Sequence, residues 1–315
     1  MRDLRIVFMG TPGFAVGVLQ KLVEEGKNVV GVITSPDKPA GRGRKLHQSD
    51  VKKYALTQNL PILQPANLKE EGFLEELKTL QVNLQIVVAF RMLPKVVWAM
   101  PEYGTFNLHA SLLPQYRGAA PINWAIINRE TETGVTTFFI DDKIDTGATI
   151  LKKKVPISER ETIGTLHDVL MNTGSDLVID TVNLIEEDKA IPKEQLQIEG
   201  LKDAPKLTKE NTKIDWSHTV EGIDSLIRGL NPYPAAWSEL QNGNEISKVK
   251  IYDCNIELGN HSFKNGKILA TKKQLKIAVN KGYLIINEMQ IPGKRKMDIK
   301  SLLNGYNFDK NSKMM

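Results

Sequence analysis

Residues 1–189 alternate between continuous apolar runs and helical repeats. Leu4 to Met9 is a near-unbroken apolar run ended by Gly10-Thr11-Pro12-Gly13, the pattern of a strand buried on both faces. From Phe14 to Glu25, apolar residues recur at helical spacing through Val18, Leu19, Leu22 and Val23, and Gly26 supplies a stop. Val29 to Thr34 reads as a second buried strand. Ser49 is placed to cap a helix running towards Asn59, and Asn67 or Leu68 opens another. Leu84 to Phe90, Thr105 to Ala110 and Val135 to Ile140 complete the strand set. Strand–helix–strand units with continuous apolar strands define an α/β domain built on an open, mostly parallel sheet. Thr162 to Glu186 is a long amphipathic helix that closes it.

The rhythm is lost over residues 190–210, where Pro192, Pro205 and many polar residues mark a linker. Residues 211–315 begin with a short helix, Ser217 to Leu230. Brief strands follow: Lys248 to Tyr252, Lys267 to Ala270, Leu275 to Val279 and Tyr283 to Glu288. Asn242-Gly243-Asn244, Gly259-Asn260, Asn265-Gly266 and Asn280-Lys281-Gly282 are turn signals between them. Short strands at close spacing predict a small antiparallel barrel.

Composition narrows the class. A chain of 315 residues accommodates about two domains, each with a sizeable core. No run of 18 apolar residues is present, which excludes a helical membrane span. The first apolar run breaks too early for a signal peptide and Cys254 is the only cysteine, so a reducing cytoplasm is expected. Five scattered histidines lack metal-ligand spacing, and no metal is expected. From Lys206 onward there are 18 Lys/Arg against 11 Asp/Glu, whereas the rest of the chain is slightly acidic. That surplus suits either a polyanion-binding appendage or a lysine-rich solvated surface. Nothing points to an obligate partner, so a monomer is expected.

Candidate chemistry lies in Asn107-Leu108-His109-Ala110-Ser111-Leu112-Leu113-Pro114, answered by Asp145-Thr146-Gly147 one helix and one strand later. Asn107 and His109 are two apart, so at the end of a strand both side chains point the same way. A buried strand has no structural need for an amide and an imidazole on one face. Asp145 follows Asp141-Asp142-Lys143-Ile144 and belongs to a loop beyond the fifth strand. An amide donates, and an imidazole donates or accepts according to its protonation. A carboxylate beside an imidazole favours the charged ring and fixes its orientation. Such a trio stabilises a tetrahedral oxyanion, worth about 10²–10³ in rate for one donor. Proton transfer by a positioned group adds about 10²–10⁴. No serine or cysteine nucleophile is paired with the trio, so direct transfer to an incoming amine is the expected chemistry. The loop Gly10-Thr11-Pro12-Gly13 matches neither a dinucleotide fingerprint nor a P-loop, and reads as a tight turn or a phosphate cradle.

The stretch from Asn107 to Gly118 together with Asp145-Thr146-Gly147 resembles the signature of the folate-dependent formyltransferases. Gly10-Thr11-Pro12-Gly13-Phe14-Ala15, Pro39-Ala40-Gly41-Arg42-Gly43-Arg44-Lys45 and Gly118-Ala119-Ala120-Pro121-Ile122 resemble the members acting on methionyl-tRNA. So do Lys213-Ile214-Asp215-Trp216-Ser217 and Arg228-Gly229-Leu230-Asn231-Pro232-Tyr233-Pro234, and the likeness spans essentially the whole chain. It implies a Rossmann-like catalytic domain over 1–189, a linker over 190–210 and an OB-like barrel over 211–315 that binds tRNA. It also implies formyl transfer from 10-formyltetrahydrofolate to the α-amine of initiator methionyl-tRNA, for translation initiation. Asn107, His109 and Asp145 match the catalytic trio, and Ser111, Leu112, Leu113 and Pro114 the loop associated with folate. The long basic loop from Ser35 to Ser49 matches one that contacts the tRNA acceptor end, through Arg42, Arg44 and Lys45. The chain departs from the family at Ala89-Phe90-Arg91-Met92, where relatives more often have tyrosine followed by glycine. Trp216, Tyr233 and Trp237 are either base-stacking or core aromatics. On the residues alone, a formyltransferase or formylfolate hydrolase acting on a small amine or water, and an RNA-binding adaptor, stay open.

Overall fold

Seven strands form the first sheet: β1 (Ile6–Gly10), β2 (Val29–Ile33), β3 (Ile62–Leu63), β4 (Leu84–Val88), β5 (Thr105–His109), β6 (Glu132–Phe139) and β7 (Thr149–Pro156). The structure, a computed structural model, describes residues 1–40, 45–196 and 199–315. The order is β7-β6-β5-β4-β1-β2-β3, with β1 to β5 parallel and β6 antiparallel to both its neighbours. β1 and β4 are buried at every position, as their apolar runs require, with Gln85 the one polar side chain enclosed among them. Strand order reverses at β1, and in open α/β sheets the crevice beyond the strand ends at such a point is where ligands bind.

Helices cover the sheet. α1 (Gly13–Glu24) follows the first turn, where Ala15 N–H donates to the Pro12 carbonyl at 2.9 Å. α2 (Asp50–Thr57) is capped by Ser49, whose Oγ accepts from Lys52 N–H at 3.0 Å. α3 (Glu71–Thr79) starts later than expected. Asn67 instead folds back on itself, its Oδ1 accepting from Lys69 N–H at 3.0 Å, and this local turn competes with the helix. α5 (Ile163–Glu186) lies against the back of β5. There a Cβ at Gly174 would come within 2.8 Å of Leu108, and Thr137 and Thr181 share a hydrogen bond of 2.8 Å. A side chain at that position would have to displace the end of Leu108.

β7 is absent from the apolar pattern because it is an edge strand carrying Lys152-Lys153-Lys154 on its exposed stretch. Lysine on an edge discourages pairing with another chain and hides the strand from a hydrophobic reading.

The chain divides into two compact units. One comprises Met1–Gly118, Glu132–Pro156 and His167–Asp203; the other Ala119–Thr131, Ile157–Leu166 and Ala204–Met315. Two stretches within residues 1–189 therefore belong to the second unit, among them α4 (Pro121–Ile127). The second unit is built on β8 (Ala236–Asn242), β9 (Glu245–Leu258), β10 (Ile268–Ala270), β11 (Leu275–Val279), β12 (Gly282–Gln290) and β13 (Lys313–Met314). Their order is β10-β11-β12-β9-β8-β13, and a bridge between Lys267 and Lys313 brings the two ends together as a nearly closed antiparallel barrel. β9 runs for 14 residues with register shifts around Asp253, bulges that let one strand bend along the barrel. α6 (Val220–Leu230), capped by Thr219, lays Ile223, Ile227 and Leu230 into a core shared with Ile251, Ile277, Leu284 and Met289.

Candidate active site

Asn107 and His109 end β5 on one face, opposite Phe138 and Thr136 of β6. Leu108 and Thr137 take the other face, under α5. Asn107 is half-buried, and among the described residues its side-chain amide makes no hydrogen bond. His109 is 6% exposed. Its Nε2 lies 2.7 Å from the Tyr116 carbonyl, which can only accept, so the ring carries a hydrogen there. Nδ1 is 3.8 Å from Asp145 Oδ2, too far for a hydrogen bond. The ring is thus held by the Tyr116 carbonyl, where the carboxylate was expected to hold it. Asp145 Oδ2 instead accepts from Gly118 N–H at 2.9 Å. In its neutral form the ring turns an unprotonated nitrogen towards the Asp145 carboxylate across that 3.8 Å gap.

The loop after β5 is fastened from the neighbouring strands. Thr136, in register with His109, donates from Oγ1 to the Ser111 carbonyl at 2.7 Å and accepts from Leu113 N–H at 3.2 Å. Ser111 Oγ donates to the Gln115 carbonyl at 2.6 Å, and Lys152 on β7 donates to the Leu113 carbonyl. Burial pulls the Lys152 ammonium below its ordinary range. Ser111 and Leu113 consequently point inward and are buried, while Leu112 and Pro114 are half-exposed.

Asp145 sits at φ +55°, an uncommon backbone for a residue with a side chain. Gly147 is required two residues on, because a Cβ there would lie 1.7 Å from the Phe139 carbonyl. Asp-Thr-Gly is therefore a tight return against β6, and Thr146 Oγ1 ties it to Asp141 at 2.8 Å.

The remaining sequence candidates divide. Arg42 and Arg44 lie outside the described residues. Lys45 begins a short strand, Lys45–His47, paired with Lys38–Ala40. At the base of this ribbon Asp37 accepts from Gln64 at 2.8 Å and Lys52 at 2.7 Å, and these bonds hold its carboxyl below the ordinary range. Arg91 donates to the carbonyls of Pro65 and Ala66, so the departure from the family pattern is spent on backbone. Trp216 and Trp237 are 6% and 7% exposed, with their indole N–H groups bonded to Ser238 and the Lys209 carbonyl, so both are core residues. Tyr233 is 82% exposed. Sequence reasoning missed the Tyr116 carbonyl, Gly118 N–H, Thr136, Lys152 and Gln195. Tyr116 and Gly118 lie inside the quoted motif, but backbone groups carry no signature; the other three come from strands and a segment that only tertiary contact brings to the site.

A formyl transferase family model matches residues 4–182, and the C-terminal domain model of the formyl transferases matches residues 206–307. The chain is 57% identical over 314 residues to the methionyl-tRNA formyltransferase of Flavobacterium johnsoniae, covering 100% of both. It is 53% identical over 317 residues to that of Bacteroides fragilis, covering 99% of this chain and 98% of the other. Among solved structures it is similar to an N-formyltransferase from Helicobacter canadensis in complex with folinic acid and dTDP-3-aminofucose. That similarity has a TM-score of 0.65 at 20% identity and covers 90% of this chain and 98% of that one. HypX from Aquifex aeolicus in complex with tetrahydrofolic acid gives a TM-score of 0.65 at 17% identity, covering 96% of this chain and 47% of that one. With the family models covering most of its length and full-length relatives above half identity, this chain belongs to the formyl transferase family.

Proposed function

We propose that the chain transfers a formyl group from 10-formyltetrahydrofolate to the α-amine of initiator methionyl-tRNA, yielding N-formylmethionyl-tRNA for translation initiation. Full-length relatives named for this reaction support the substrates. The mechanism rests on one observation: the unengaged amide of Asn107 and the Nδ1 side of His109 share a face, with the Asp145 carboxylate 3.8 Å from that nitrogen.

The free amine attacks the formyl carbon, a new C–N bond forms, and the carbonyl oxygen becomes an oxyanion. The Asn107 amide donates to it, a preorganised contact of the kind worth about 10²–10³ in rate. His109 Nδ1 accepts the proton lost by the amine. The resulting imidazolium is stabilised on one side by Asp145 and on the other by the Tyr116 carbonyl. The bond between the formyl carbon and folate N10 then breaks, and the proton returns to N10. No covalent enzyme intermediate is needed.

In this reading residues 1–189 carry the chemistry, 190–210 connect, and 211–315 hold the tRNA body by salt-dependent backbone contacts. The loop Ser111 to Pro114 lines the folate site, with Leu112 and Pro114 offering side chains while Ser111 and Leu113 shape the backbone. Arg42, Arg44 and Lys45 meet the acceptor end through phosphate pairing. The protein acts in the cytoplasm as a monomer and without a metal.

The test is transfer of labelled formyl from 10-formyltetrahydrofolate to charged initiator tRNA, uncharged tRNA and a small amine. Transfer to the charged initiator alone is expected. Transfer to the small amine, or formate release without tRNA, would overturn the acceptor and leave the trio's chemistry in place.

A further inference from the structure

Gln195 lies in the stretch that the sequence presents as a linker, yet its side chain is bonded at both ends. Nε2 donates to the carbonyls of Asp145 and Gly147, at 2.9 Å each. Oε1 accepts from Arg117 Nη2 at 2.7 Å and Nε at 3.2 Å. Arg117 Nε also donates to the Asp145 carbonyl at 3.0 Å. Two residues upstream, Lys193 and Thr149 exchange backbone hydrogen bonds of 2.8 Å in both directions, which fixes where Gln195 can stand.

The carbonyl of Asp145 thus takes donors from Gln195 and Arg117 while its φ is +55°, a backbone that persists only where the surroundings over-determine it. The same residue's Oδ2 is held by Gly118 N–H, next in the chain to Arg117. Main chain and side chain of Asp145 are therefore set by one hydrogen-bonded ring that Gln195 closes. We propose that Gln195 is a positioning residue for the reaction, aiming the Asp145 carboxylate at His109 Nδ1. The proposal rests on the catalytic role assigned above to Asp145.

Gln195→Glu keeps the acceptor for Arg117 and removes both donors. It is expected to lower kcat by about 10–100-fold, the scale of a small misplacement of a reacting group, with KM for tRNA and folate within about twofold. Gln195→Met removes both functions and should lose at least as much. If either variant loses native stability, the other, measured at matched folded fraction, carries the test. The deciding comparison repeats Gln195→Glu in an Asp145→Ala background. If Gln195 acts through Asp145, its loss of kcat largely vanishes there. The same fold loss in both backgrounds would overturn the proposal. An Asp145→Ala enzyme with full kcat would instead overturn the role of Asp145 itself, a separate result.

Discussion

Two buried polar clusters in this protein are built on opposite plans. In the barrel unit, Asp224 on α6 accepts from Arg160 at 2.9 Å and Arg228 at 2.7 Å, and Cys254 Sγ stands 3.6 Å away. Arg160 also reaches Asp253 and the Cys254 carbonyl, and Arg228 the Glu161 carbonyl. Each strong group there is answered by another. Burial, with Asp224 and Asp253 beside it, pushes the Cys254 thiol well above its ordinary range and leaves it inert. At the end of β5 the fastening stops short. Backbone and hydroxyl groups and the Lys152 ammonium hold His109 and the following loop, but among the described residues the Asn107 amide has no partner and the Nδ1 side of His109 faces Asp145 at 3.8 Å. Satisfied polar groups specify a fold; groups held on one side and open on the other are equipped to act.

The difference can be broken from either side. The largest effect is expected at the open cluster: His109→Ala should lower kcat on the order of 10²–10⁴-fold, with the unfolding midpoint and tRNA affinity little changed. Equal losses in kcat and tRNA affinity would remove His109 from the chemistry. At the closed cluster, Asp224→Ala takes the shared carboxylate from two guanidinium groups and should destabilise the second unit by about 3 kcal/mol, the lower end for a broken buried pair because Arg160 is half-exposed and keeps Asp253. Activity per folded molecule should hold, measured by denaturant titration beside initial rates; a kcat loss without destabilisation would contradict the structural assignment. The smallest effect concerns Asp37, a satisfied carboxylate in the catalytic unit. Its carboxyl is lowered when folded, so its stabilising contribution is present above the ordinary aspartate range and is lost as pH falls through the lowered value. The stability difference between the parent and Asp37→Asn should therefore be measurable at pH 7 and shrink in acid; a difference independent of pH would refute it.

Much of the first unit was legible because its strands are buried on both faces, and period and run length then speak plainly: β1, β2, β4 and β5 fall within two residues of their expected limits. The pattern failed where burial is one-sided or local chemistry intervenes. β7 carries Lys153 and Lys154 to solvent, and Asn67 bonds to its own backbone ahead of α3. In the barrel, β8 was missed because Ala236, Trp237 and Ser238 are all buried, so its first residues show no alternation of buried and exposed positions. Expectation and structure also parted over what holds His109, since a carboxylate in a motif is visible to a reader and a carbonyl is not.

What this sequence determined alone is the identity and spacing of the reacting groups. An amide and an imidazole two residues apart on a strand must share a face, and that follows from the geometry of the extended chain. What only the tertiary structure decided is their freedom. Whether a buried polar group is spent or available depends on partners far away in the chain: Thr136 for the loop, Gly118 and Gln195 for Asp145, Arg160 for Asp224. Hydrogen-bond satisfaction is a property of packed neighbours, and no local pattern of residues encodes it.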